Sequence, residues 1–65
     1  MKGIVKTFNK QKGYGFIQGK EGNSYFFHYS ELQMKGYKTV DDGQKVEFDV
    51  KNTEKGMNAI NIKLV

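Results

Sequence analysis

With 65 residues, the chain has room for one domain spanning 1–65 and a single small core. It has no cysteine and one histidine, which excludes disulfide staples and a zinc centre; no apolar run approaches the ~20 residues of a membrane span. Eleven basic residues, all lysine, against seven acidic ones give a net charge of +4, and nine aromatic side chains accompany them. The expectation is a cytoplasmic monomer with no cofactor and no membrane association.

In chain order, β-type alternation recurs between glycines, and helical periodicity is weak throughout. Gly3 to Lys10 is the first predicted strand, Gly13 to Gln18 the second and Asn23 to Tyr29 the third, with the turn of the second hairpin at Gly19 to Gly22. Ser30-Glu31-Leu32 suits a single helical turn inside a long connection that ends at Gly43. The fourth strand sets Val46, Phe48 and Val50 against Lys45, Glu47 and Asp49; the fifth, Asn58 to Leu64, sets Ile60, Ile62 and Leu64 against Asn61 and Lys63. Asp42-Gly43 and Lys55-Gly56 are turn signals entering them. Three strands, a long crossover and two more strands describe an all-β, five-stranded antiparallel Greek-key barrel of OB type, whose closure removes edges that a chain this short protects poorly.

The chemistry lies in the second and third strands. Seven of the aromatics (Phe8, Tyr14, Phe16, Tyr25, Phe26, Phe27 and Tyr29) are clustered in sequence. Alternation puts Tyr14 and Phe16 on one face, with Phe26 and His28 beside them, and sends Tyr25, Phe27 and Tyr29 to the other. Ile17, Phe27, Val46, Phe48, Ile60 and Ile62 suffice for one core, so the other ring set faces water as a binding surface. Rings beside lysines are the footprint of single-strand nucleic-acid binding: bases stack on the rings while ammonium groups follow the phosphates. Lys2, Lys6, Lys10, Lys12 and Lys20 border the rings with no acid among the first 20 residues. The acids of the second half lie far from the rings in sequence.

Lys12-Gly13-Tyr14-Gly15-Phe16-Ile17 and Phe26-Phe27-His28-Tyr29 resemble the two ribonucleoprotein-type motifs of the bacterial cold-shock proteins. Gly3-Ile4-Val5-Lys6 with Phe8-Asn9, Gly36-Tyr37-Lys38-Thr39 with Gly43-Gln44, and Gly56 with Ala59 and Asn61 extend the resemblance over nearly the whole chain. The RNA-recognition-motif fold carries its similar motif on a late strand and needs two helices, for which there is no pattern here. The resemblance implies an OB-type cold-shock domain that binds single-stranded RNA and DNA with little sequence preference and acts as an ATP-independent nucleic-acid chaperone. Carried over by position, the binding residues are Lys6, Phe8, Lys12, Tyr14, Phe16, Phe26, His28, Tyr29, Tyr37 and Lys55.

This chain departs from the family pattern in three places. Thr7 stands where the family usually has tryptophan, which removes a platform worth ~1–3 kcal/mol per base. Tyr25 and Phe27 replace smaller aliphatics; overpacking of that kind costs ~1–3 kcal/mol unless neighbours shrink, and the Tyr25 hydroxyl needs a partner. Met57 replaces a frequent proline, which predicts a looser last loop.

Two other functional classes fit less well. An SH3-like peptide module shares the size and the aromatic face, but its basic ligands call for acids near the rings. His28 and Ser30 lie two residues apart, but no acid is placed to orient the histidine for catalysis. There is no P-loop glycine pattern for an ATP-driven helicase.

Overall fold

The computed structural model describes residues 1–34, 36 and 38–65. Five strands, β1 (Lys2–Asn9), β2 (Tyr14–Gly19), β3 (Ser24–His28), β4 (Lys45–Thr53) and β5 (Gly56–Leu64), close into a barrel in the order β1-β2-β3-β5-β4. A 3-10 turn, Tyr29–Glu31, follows β3 at the place where the sequence allows one helical turn. The β1/β2, β2/β3, β4/β5 and β1/β4 seams are antiparallel, whereas β3 and β5 meet in parallel at the single pair Phe26↔Asn58. An odd number of strands in a closed ring cannot alternate direction all the way round. One parallel seam is therefore unavoidable, and it is the least paired.

The core consists of Val5, Ile17, Tyr25, Phe27, Leu32, Val40, Val46, Phe48, Ala59 and Ile62. Leu32 and Val40 come from the crossover, which the sequence reading leaves out of the core. The crossover is held by Gln33 N–H donating to the Ile62 carbonyl at 2.7 Å and by a parallel bridge between Leu32 and Ile62. Its far end zips onto β1, where Gly43 N–H donates to the Val5 carbonyl at 2.7 Å and Val5 N–H to that of Gln44 at 2.9 Å.

Two bulges shift the alternation. On β1 the register steps from Val5↔Ile17 to Thr7↔Phe16, so both Lys6 and Thr7 are exposed before Phe8 turns partly inward. On β5 the register steps from Lys63↔Glu47 to Ile60↔Asp49, and Asn61 adopts φ 51°. Its N–H donates to Glu31 Oε1 and its Nδ2 to Asp49 Oδ2, both at 3.3 Å. This extra residue corrects the expected inward set of β5: Ala59 and Ile62 are buried, Ile60 is half-exposed and Leu64 is exposed.

Tyr25 and Phe27 are both buried, and each ring packs against a glycine of β2. A methyl group at Gly19 would lie 3.0 Å from Tyr25 Cε2, and one at Gly15 would lie 3.0 Å from Phe27 Cε1. Tyr25 also lines a surface depression with Met1, Lys2, Lys20 and Glu21, and its hydroxyl is not among the buried polar atoms left without a partner. In the last turn Thr53 Oγ1 donates to the Gly56 carbonyl at 2.7 Å and accepts from Lys55 N–H at 3.3 Å.

Candidate nucleic-acid interface

The β2–β3 hairpin sets the four central side chains opposite one another. Tyr14 faces His28 and Phe16 faces Phe26, while Gly15, Ile17, Tyr25 and Phe27 point to the core. The Phe26 ring lies 5.6 Å from Tyr14, tilted by 32°, and 5.8 Å from Phe16, edge-on at 74°. Tyr14 and Phe26 are half-buried by their neighbours; Phe16 and His28 are exposed. These contacts orient the rings without covering the outer surface. Gly15 lets β1 approach from behind, since a methyl group there would strike the Thr7 carbonyl and lie 2.9 Å from Phe8 Cα.

His28 is fixed by local hydrogen bonds. Its Nδ1 accepts from Ser30 N–H at 3.2 Å and lies 3.0 Å from Ser30 Oγ, which caps the 3-10 turn. With Nδ1 used as an acceptor, the neutral imidazole carries its proton on Nε2 and presents a donor. The His28–Ser30 pair noted in the sequence therefore has a structural job. Tyr29 begins the 3-10 turn with its ring 4.5 Å from that of His28, and Gly13 makes room for it.

Phe8 belongs partly to the core. Its ring stacks on that of Phe27 at 5.6 Å and 12°, and its other side opens to a depression shared with Lys10, Lys12, Tyr29 and Lys38. The loop that carries Lys12 is shaped by Asn9, whose Oδ1 accepts from Gln11 N–H at 3.0 Å and Lys12 N–H at 2.9 Å. That is an Asx-type turn. Lys55 lines a second depression, with Phe16, Phe26, Glu54 and Asn58. Lys6 is exposed on the β1 bulge beside Thr7, the register partner of Phe16. Tyr37 lies outside the described residues. Of the ten expected residues, the structure thus groups Tyr14, Phe16, Phe26 and His28 on one face, with Phe8, Lys12 and Tyr29 to one side and Lys55 to the other.

The charge around the rings differs from the sequence expectation. Asp41 pairs with Lys10 at 3.4 Å, and Asp42 Oδ1 accepts from Phe8 N–H at 3.1 Å, so acids distant in sequence stand beside the ring face. Glu54 is a further acid near Phe16 and Phe26. Lys2 and Lys20 line the separate depression beside Tyr25. Sequence reasoning also missed Lys38 and Asn58, which barrel closure brings to the two depressions. Lys38 lies in the Gly36-Tyr37-Lys38-Thr39 segment that carries the resemblance, whereas no pattern within its own segment marks Asn58.

A closed five-stranded OB-type barrel with an outward aromatic face flanked by lysines defines a nucleic-acid-binding barrel. The model of the "'Cold-shock' DNA-binding domain" family matches residues 1–65. Cold shock protein 1 of Lactiplantibacillus plantarum is 50% identical over 60 residues, covering 92% of this chain and 91% of its own. The cold shock-like protein of Thermotoga maritima is 46% identical over 65 residues, covering 100% and 98%. Among solved structures, drosophila Unr CSD456 superposes with a TM-score of 0.75 at 27% identity over 98% of this chain, which spans 26% of that one. The chain belongs to the cold-shock DNA-binding domain family and is a nucleic-acid-binding protein. That membership does not favour the SH3-like alternative.

Proposed function

We propose that this protein binds single-stranded RNA and DNA with little sequence preference and acts as an ATP-independent nucleic-acid chaperone, in the cytoplasm and as a monomer. The observation that carries this reading is the open face of Tyr14, Phe16, Phe26 and His28 between two lysine-bearing depressions. Bases stack on the rings, and Lys6, Lys12 and Lys55 follow the backbone. Phe8 and Tyr29 extend the stacking surface, and Tyr37 is a further base-binding residue on the strength of the family resemblance. Because each base has a π face, such a surface tolerates any sequence, and all-lysine charge suits phosphates better than base edges. A duplex hides its base faces. Binding the open strand alone therefore draws hairpins toward melting by mass action. The absence of cysteine fits a reducing compartment.

A titration with labelled oligothymidine and with a duplex of the same length tests this. The single strand binds more tightly, with log affinity falling against log salt by ~0.7 per neutralised phosphate. A hairpin labelled with a fluorophore and a quencher opens on addition of protein without ATP. Equal affinity for duplex and single strand defeats the proposal.

A further inference from the structure

The outward row of side chains that carries the rings does not end at Phe26. Register partners continue it across the barrel wall: Thr7 faces Phe16, Phe16 faces Phe26, Phe26 faces Asn58, and Asn58 faces Lys51. With strands ~4.8 Å apart, Lys51 stands about 10 Å from Phe26, two strand spacings away. The seam crossed on the way is the parallel one, joined at a single pair, and a depression lies along it, lined by Phe26, His28, Glu31, Lys51, Asn58 and Ile60.

The charges beside this depression leave the lysine available. Glu31, which lines the depression, accepts the Asn61 N–H, Asp49 accepts Asn61 Nδ2, and neither carboxylate forms an ion pair with Lys51. The one ion pair among the described residues joins Lys10 to Asp41, and Lys51 is exposed without an acidic partner. The half-buried Ile60 adds apolar floor at the centre of the seam. An exposed cation at the end of an aromatic row, reached over a groove, is what a strand continuing off the rings would meet.

We infer that the β3–β5 seam is a further subsite for the bound strand, in which Lys51 holds a backbone phosphate beyond the base stacked on Phe26. The inference rests on the proposed single-strand binding by the ring face. The test measures the salt dependence of binding to an octanucleotide of thymidine by wild type, Lys51→Gln, Lys51→Arg and Lys20→Gln, with thermal melting to verify each fold. Lys20 lies in the separate depression beside Tyr25, so its variant carries the same change of net charge away from the row.

Lys51→Gln weakens binding several-fold at low salt and flattens the slope by ~0.7, the contribution of one phosphate. Lys51→Arg restores both, and Lys20→Gln keeps the wild-type slope. An unchanged slope in Lys51→Gln, or an equal loss in Lys20→Gln, overturns the inference. Phe26→Ala separates the two levels: wild-type affinity in that variant defeats the ring-face reading itself. Weakened binding in Phe26→Ala alongside an unchanged slope in Lys51→Gln defeats only the seam subsite.

Discussion

Replacing Thr7 with tryptophan should turn this protein into a tighter binder. Thr7 is exposed on the β1 bulge and is the register partner of Phe16, so it extends the Phe16–Phe26 row by one strand. An indole there lies ~4.8 Å along the row from the Phe16 position, the spacing at which cross-strand rings act together. A base stacked on an aromatic side chain is worth ~1–3 kcal/mol, which at 1.4 kcal/mol per tenfold corresponds to about 5- to 150-fold in Kd. The fold should tolerate the change within about 0.5 kcal/mol, as is usual for surface positions. Since the chain has no tryptophan, the new indole is a sole reporter, and its emission should be quenched as oligothymidine is added. Thr7→Ala, which adds no ring, should bind as wild type does. If Thr7→Trp binds no more tightly than wild type and its emission is unmoved by ligand, the row does not continue onto β1 and the reasoning fails.

Phe27→Ala should cost ~3–5 kcal/mol as a core truncation, against a total stability of roughly 0.05–0.15 kcal/mol per residue, so its denaturation midpoint should collapse. Phe26→Ala, one residue away but outward, should retain most of its stability and lose oligonucleotide affinity instead. Gly13→Ala forces an L-residue to φ 77° and sets a methyl group 2.6 Å from Tyr29 Cδ1. Urea unfolding should register a loss of ~1–2 kcal/mol, and the Tyr29 ring should leave the Phe8 depression. Asp41→Asn releases Lys10 from its 3.4 Å partner. Affinity at low salt should rise and its salt slope steepen, while stability changes by less than ~1 kcal/mol because the pair is exposed.

Much of the site is legible in the chain because strand alternation is local and covalent. Tyr14-Gly15-Phe16-Ile17 places two rings out and Ile17 in wherever the hairpin sits, and Phe26 with His28 does the same on the next strand. The turn chemistry of Gly22, Gly43 and Gly56, all at positive φ, likewise acts over a few residues. The rest depended on closure. The bulges at Lys6–Thr7 and Asn61 alter the parity because the barrel must bend there, so Ala59 replaces Ile60 inside and Leu64 is left exposed. Leu32 and Val40 enter the core because the crossover packs onto β5 and β1. Asp41 reaches Lys10, and Asn58 and Lys51 fall in line with Phe26, because closing an odd-stranded ring brings together segments that no local period relates. The ring face was thus decided within the strands. Its charge and its extent were decided by which strands became neighbours.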